Sequence, residues 1–255
     1  LIMAIFYLDC PYAKKDEAKA LGAKWDAGVK KWYATGPKEE IVEKFKEFYP
    51  EEFVSDAVLV SESYQNPGIE PVTDWGFYMP EHFCVLDTED TGFSGRDEVI
   101  ELGIIDEKGD ELYHSRFCPT APITPGASKV TGFTNDILEN EPLFENEWEN
   151  IKKAIGDRVI IAFNTKYDKR MMLQTAKRYK IPVDEVETLF ENAMDALKIL
   201  KEVTGKGSKL SVAAEAFGIV DEQKHLASYD CLMTLQVLIK LNEFLKEGKE
   251  FPKIA

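Results

Sequence analysis

"FCVLDTEDTGF", residues 83–93, sets four apolar residues directly before three carboxylates, Asp87, Glu89 and Asp90. The apolar run reads as a buried strand, and the acids stand where that strand should end. Like charges this close repel, and burial raises their pKa values further. A strand end built this way needs something positive beside it. In an extended segment, residues two apart share a face. Asp87 and Glu89 can therefore reach one point, while Asp90 alternates away and is expected to meet solvent.

Outward from this stretch, "VIELGIID" and "LYHSRF" read as two further strands, close enough to form an antiparallel meander with the first. "PLFENEWENIKKAI" reads as a helix and "RVIIAF", 158–163, as a strand of parallel type. "KYDKRMMLQTAKRY", "KLSVAAEAFG" and "HLASYDCLMTLQVLIKLNEFLKEG" read as helices. Strands that later alternate with helices predict an α/β mixed sheet over residues 81–245, with 246–255 as a C-terminal tail.

Before it, residues 3–50 predict a small α+β module. It has a strand in "AIFYLDCPY", a helix in "KKDEAKALG" stopping at Gly22, a strand in "KKWYAT", and an amphipathic helix opening at Pro37. Residues 51–80 contain no Lys or Arg and six acids, which predicts an acidic linker, although Trp75, Phe77 and Tyr78 suggest that its end packs on something. Cys10, Cys84, Cys118 and Cys231 are far apart and form no CxxC pair. A zinc ribbon or disulfide framework is thus not expected, and a cytoplasmic, reducing setting is the default. No stretch has the length of a membrane span. The net charge of −15 argues by itself against binding nucleic acid through a basic surface.

Two more acidic positions join the first pair. Asp168 falls in the first turn of the helix after "IIAFN", at the carboxyl edge of the predicted sheet. Asp230 follows His225 by five positions near the start of the last helix. Four carboxylates from three segments cannot all stay ionised in one dry pocket without cations. Oxygen ligands without cysteine favour Mg²⁺ or Mn²⁺. Two such ions about 3.5–4 Å apart suit phosphoryl displacement, and a histidine beside them suits a general base.

The series "VLDTEDTGF…DEVIELGIID…ITPGASKVTGFT…IIAFNTKYDKRMM…HLASYDCLMTL" resembles the proofreading-type 3′-5′ exonucleases of the DEDDh group, the DnaQ-like nucleases. The resemblance covers roughly residues 82–242 and implies a ribonuclease-H-like fold. It implies that Asp87, Glu89, Asp168 and Asp230 bind two divalent metals, Mg²⁺ or Mn²⁺, and that His225 activates water. The expected reaction is hydrolysis of terminal phosphodiester bonds of DNA, at single-stranded or frayed 3′ ends, with release of 5′-mononucleotides. The alternatives are an exoribonuclease that trims RNA, or a nucleic-acid-binding module without turnover. A nucleic acid with a free 3′ end is the expected partner. A polymerase or another replication or repair protein is a further candidate, and no membrane is. "KVTGFT" departs from the family by carrying Val130 and Thr131 where relatives often have a histidine before the glycine, which leaves base preference open.

Thr91, Phe93, Phe133, Asn164, Lys166 and Arg170 are the candidate substrate contacts. Thr91, Phe93 and Phe133 could equally be core or loop residues; Phe93 and Phe133 are the better candidates, because exposed aromatics stack on unpaired bases. Asn164 could equally cap the helix that follows it. Lys166, Lys169, Arg170, Lys177, Arg178 and Lys180 supply a local positive edge, which with the metals answers the charge objection. "GKGSK", 205–209, lacks the earlier glycine of a phosphate loop and reads as a turn. His82 and His114 have no acid at ligand spacing and read as structural or surface residues. The N-terminal "LGAKWD…KKWY" resembles a small domain met beside primase-like and nuclease modules of mobile elements. Its Trp25 and Trp32 are expected in a miniature core, and its lysines are candidates for nucleic-acid contact.

Overall fold

The run Phe83–Asp90 is a strand, β4, and the larger sheet is built around it. In the computed structural model, the described residues are 4–8, 10–26, 31–36, 41, 43–48, 64–219 and 226–254. They fall into two units, each with its own sheet.

The larger unit holds β4, β5 (Val99–Asp106), β6 (Glu111–Arg116), β7 (Val159–Ala162) and β8 (Met194–Asp195) in the order β6-β5-β4-β7-β8. The first three form the expected antiparallel meander, with β5 paired to both neighbours. β7 runs parallel to β4, and β8 runs parallel to β7. Parallel neighbours need a crossover, and helices supply it. This mixed sheet flanked by helices confirms the α/β expectation.

Strand alternation sorts β4 between two cores. Phe83 and Val85 pack with Ile105, Ile161 and the helices Ala196–Thr204 (α7), Leu210–Ala216 (α8) and Ala227–Glu247 (α9). Cys84 and Leu86 pack on the opposite face with Leu102, Ile104, Ile160 and the helices Phe144–Ile155 (α4), Thr165–Arg178 (α5) and Val183–Leu189 (α6). Val85 and Leu86 are fully buried, each contributing about 1.5–3 kcal/mol. The same alternation, continued past Leu86, sends Asp87 and Glu89 toward the α9 side and Thr88 and Asp90 toward the α5 side.

The linker expectation needs correcting for 64–80. Tyr64, Ile69, Trp75, Phe77 and Met79 pack against the α9-side core. The Tyr64 hydroxyl donates to the Gly109 carbonyl at 2.5 Å. Asn242, 5% exposed within α9, accepts from the Gly76 N–H and donates to the Asp74 carbonyl. This segment is a strap tied to the larger unit. Its aromatic and aliphatic residues outweigh the turn formers that suggested a linker. The tail is also engaged, since Ile254 is buried and Phe251 stacks on Phe244.

The smaller unit has a three-stranded antiparallel sheet, β1 (Ala4–Leu8), β3 (Lys31–Gly36) and β2 (Lys24–Asp26), in that order, with helix α1 (Lys15–Ala20) after a 3-10 turn at Tyr12–Lys14. Gly22 follows the helix at φ 93°, the left-handed conformation that favours glycine. Ile41, Glu43 and Lys44 are helical; the expected start at Pro37 lies outside the described residues. Leu8, Ala18, Ala34, Phe45 and Phe48 form the core, with Trp32 half-buried against it. Trp25 is 51% exposed, contrary to expectation, and its ring meets the edge of Trp32 across the strand pair. The unit also gathers residues 124–133, a segment that includes the helix Pro125–Thr131 (α2). The short helix Asn135–Leu138 (α3) follows it in the chain.

Candidate active site

β4 and α9 bring the first and last acids together. One carboxylate oxygen from each of Asp87, Glu89 and Asp230 lies within 4.8 Å of the other two. Burial, and then the charges of Asp230, Asp168, Glu89 and Glu101, push the Asp87 carboxyl well above the usual range. Glu89 is pushed the same way by burial and then by Asp230, Glu101, Asp90 and Asp168. Among the described residues, no lysine or arginine forms an ion pair with either of them. An all-oxygen donor set whose members raise one another's pKa fits a hard divalent cation.

Asp168 enters from the other side. It sits in the first turn of α5, directly beyond β7, and is 3% exposed. The Thr88 hydroxyl donates to its Oδ1 at 2.9 Å. Burial pushes the Asp168 carboxyl up to about 7, even though the bonds from Thr88 and the backbone hold it down. Its charge reaches Asp87 and Glu89. Asp87, Glu89 and Asp230 thus form one acidic group at the end of β4, and Asp168, beyond the end of β7, is near enough for its charge to act on two of them. His225 lies outside the described residues.

The candidate substrate contacts separate into two groups. Phe93 is 73% exposed, with its ring 6.4 Å from Tyr167, and the Arg170 guanidinium stands 4.9 Å from the Tyr167 ring centre. Lys166 is exposed beside them in sequence. Asn164 is also exposed, but it does not cap α5 through its side chain. It adopts φ 71°, and its N–H donates to Asp195 Oδ1. Phe133, by contrast, is fully buried, so of the two readings left open for it the core one holds and it offers no ring for stacking. Thr91 is buried too: its hydroxyl donates to Asp97 Oδ1 at 2.8 Å and accepts from the Glu98 N–H at 3.1 Å, so it staples the loop after β4. Within the positive edge, Arg178 turns inward to Glu98, Thr120 and the Arg96 carbonyl.

One sequence reading is overturned here and a second, the structural reading of His114, gains a partner. Asp90 does not face solvent. It is 7% exposed, accepts from the Gly92 N–H at 2.9 Å, and accepts a short bond from the Tyr167 hydroxyl. Nor is His114 without an acid, since its Nε2 lies 2.9 Å from Glu101 Oε1. Glu101 itself was missed. It is fully buried on β5, opposite Glu89 on one side and Arg116 on the other. Burial alone would raise its carboxyl, but the bonds and charges of His114 and Arg116, with the Ala227 N–H, hold it below the ordinary value. The available signal was a lone acid within the otherwise apolar "VIELGII".

Comparison with known proteins gives a consistent result. The family model described as Exonuclease matches residues 84–238, and a domain of unknown function matches residues 6–50. The PolC-type DNA polymerase III of Thermotoga maritima is 28% identical over 199 residues, covering 76% of this chain and 14% of that protein. An uncharacterized exonuclease of Escherichia phage 186, CP81, is 29% identical over 171 residues, covering 63% of this chain and 88% of that one. The 3′-5′ exonuclease DinG of Staphylococcus saprophyticus is 29% identical over 163 residues; the match spans 62% of this chain and 18% of DinG. Among solved structures, the nuclease domain of 3′hExo, a DEDDh family member bound to rAMP, superposes with a TM-score of 0.57 at 15% identity. It covers 71% of this chain and 98% of that one, and it supports the fold.

Proposed function

We propose, on the premise that this chain belongs to the exonuclease family and is a 3′-5′ exonuclease of the DEDDh superfamily, that it removes nucleotides from single-stranded or frayed 3′ ends of DNA. The observation that carries the reading is the Asp87–Glu89–Asp230 cluster, closed by Asp168 from α5. DNA is favoured by the relatives named as DNA polymerase III, of which this chain spans only a small part.

DEDDh exonucleases use divalent metal ions. In our reading two of them, Mg²⁺ or Mn²⁺, are held by Asp87, Glu89, Asp168 and Asp230. When bound, they neutralise the cleft and stabilise charge on the attacking and leaving oxygens of the scissile phosphate. The chain does the rest. Thr88 fixes one oxygen of Asp168, so that its carboxylate presents a constant edge. His225 takes a proton from the attacking water at an imidazole nitrogen. Phe93, backed by Tyr167, offers a ring on which an unpaired terminal base stacks, worth about 1–3 kcal/mol. Lys166 and Arg170 meet the backbone phosphates, and a 5′-mononucleotide leaves.

The charge of −15 supports this preference for ends over long duplexes, since the cationic edge is local and its grip weakens with salt. Residues 3–50 add affinity in this reading and take no part in the chemistry. Degradation of end-labelled single-stranded DNA and RNA, side by side with Mg²⁺, tests it. Faster release of 5′-mononucleotides from DNA supports the proposal, and faster loss of RNA makes the enzyme an exoribonuclease.

A further inference from the structure

The helix that delivers Asp230 begins without a cap of its own. Its N-cap residue is Leu226, whose side chain cannot accept a hydrogen bond. The first N–H groups of a helix have no partner within it, and they carry partial positive charge. In this protein a distant residue on β5 answers one of them. Glu101 Oε2 accepts from the Ala227 N–H at 3.1 Å. Its other oxygen is held by His114 Nε2 at 2.9 Å and Arg116 Nε at 3.0 Å, both from β6. Glu101 has no exposed surface, so its carboxylate is fixed from the sheet side before it meets the helix.

Around that bond the first turn of α9 is seated closely on the meander. Gly103, two residues along β5, leaves room for it: a Cβ there would lie 2.5 Å from Ser228 N and 2.6 Å from Ala227 C. The Ser228 hydroxyl donates to Glu111 Oε2 at 2.7 Å, and the Cys231 thiol contacts the Gly103 carbonyl at 3.3 Å. Asp230 sits between these anchors, one residue before Cys231 and three after Ala227. Its carboxylate must meet those of Asp87 and Glu89 within 4.8 Å, so a small slide or rotation of this turn removes it from the cluster.

We infer that Glu101 is a positioning residue: by accepting the Ala227 N–H while braced by His114 and Arg116, it sets the place of the helix turn that presents Asp230 to the cleft. It touches neither substrate nor the reacting atoms. This rests on the reading of Asp230 as a metal ligand. What matters for the role is the reach of the acceptor and not its charge. Misplacement of a catalytic group by about 1 Å can cost roughly 10²-fold in rate.

Two variants separate reach from charge. Glu101→Asp keeps the charge for Arg116 but withdraws the acceptor by about 1.5 Å. Glu101→Gln keeps the length, and when its one oxygen accepts the Ala227 N–H its NH2 faces the Arg116 Nε–H, so it keeps the reach while losing the charge and the Arg116 bond. Each is compared with the full-length parent at least 10 °C below its own thermal midpoint. Turnover and KM on a single-stranded oligonucleotide are measured, with the Mg²⁺ concentration that half-saturates the rise in thermal midpoint. We expect Glu101→Asp to lower turnover about 10–100-fold with KM within about twofold, and to raise the Mg²⁺ midpoint several-fold. Glu101→Gln, which keeps the reach, should stay closer to the parent than Glu101→Asp on turnover and on the Mg²⁺ midpoint, each measured below its own thermal midpoint. An aspartate variant matching the parent, or a glutamine variant as impaired as the aspartate one, overturns the inference. An active parent inactivated by Asp230→Ala keeps the metal-ligand reading standing whichever way Glu101 behaves.

Discussion

Glu89 and Glu101 face each other across the β4–β5 ladder, and their surroundings differ in one respect. Glu101 has an arginine, a histidine and a backbone N–H on its carboxylate, and it stays ionised more readily than an ordinary glutamate. Glu89 has Asp230 and Asp87 beside it, no lysine or arginine partner among the described residues, and a carboxyl pushed well above the ordinary range. Desolvation acts on both. A buried carboxylate supplied with the protein's own cation is scaffold. One left among its own kind is stable as an anion only when a cation arrives from outside. The contrast distinguishes, across one pair of strands, an acid braced by the protein's own cations from one crowded by other acids.

Removing one of the crowded acids should break the contrast most completely. Asp87→Ala or Asp230→Ala is expected to cut Mg²⁺-dependent degradation by at least about 10³-fold, because the cleft then holds its cations incompletely. In EDTA the same variants should melt at or above the parent's midpoint, since each removes repulsion. Substantial activity at saturating Mg²⁺ would contradict the assignment.

His225→Ala should cost less, about 10²–10⁴-fold in turnover, with Mg²⁺ affinity kept by the four carboxylates. Part of that loss should recover as pH rises, so the decisive measurement is turnover against pH for both proteins. Equal rates near neutral pH would remove His225 from the mechanism.

A third test uses protons in place of mutations. Asp168 has a folded pKa of about 7, above its unfolded value. Between about pH 4 and pH 7 the native state therefore binds more protons than the unfolded one, and stability falls as pH rises through that window. Glu101, with a depressed pKa, acts oppositely: its contribution is present above its unfolded value and is lost on acidification. In EDTA the thermal midpoint should drop from pH 5 to pH 7.5, and Mg²⁺ should reverse the drop. A midpoint that rises over this range without metal would mean that the cleft is not repulsive.

The smallest effect concerns the two units. A chain beginning at Tyr64 should keep turnover within about twofold and lose several-fold in apparent affinity for the oligonucleotide, if the N-terminal unit contributes lysine contacts. A chain beginning at Glu81 should also melt lower, because it loses the packing of Trp75 and Phe77. Equal melting of the two truncations would show that the strap adds no stability.

The parts legible in the sequence were those written in local period. Alternation gave the β4–β6 meander and placed Asp87 and Glu89 on one face, and the helix after "RVIIAF" placed Asp168 at the sheet edge. What stayed illegible depends on register or on long loops. His114 looked isolated because Glu101 lies on the next strand, and only the offset of the β5–β6 pairing brings them together. Asp90 looked exposed because its partner Tyr167 is far along the chain. The packed ends of 64–80 were hinted at by three aromatics, but Asn242 holds that segment through backbone atoms, which leave no pattern in side-chain types.

That strap also decides how the protein comes apart under proteases. Between Lys46 and Arg96 the chain has no lysine or arginine, so trypsin leaves 64–80 covalently joined to β4 however long the digestion runs. A glutamate-specific protease meets Glu70, which is exposed and lies between the Tyr64 and Gly76 anchors. One cut there leaves both anchors in place on separate pieces of chain, held to the same helix-and-sheet body only by their contacts.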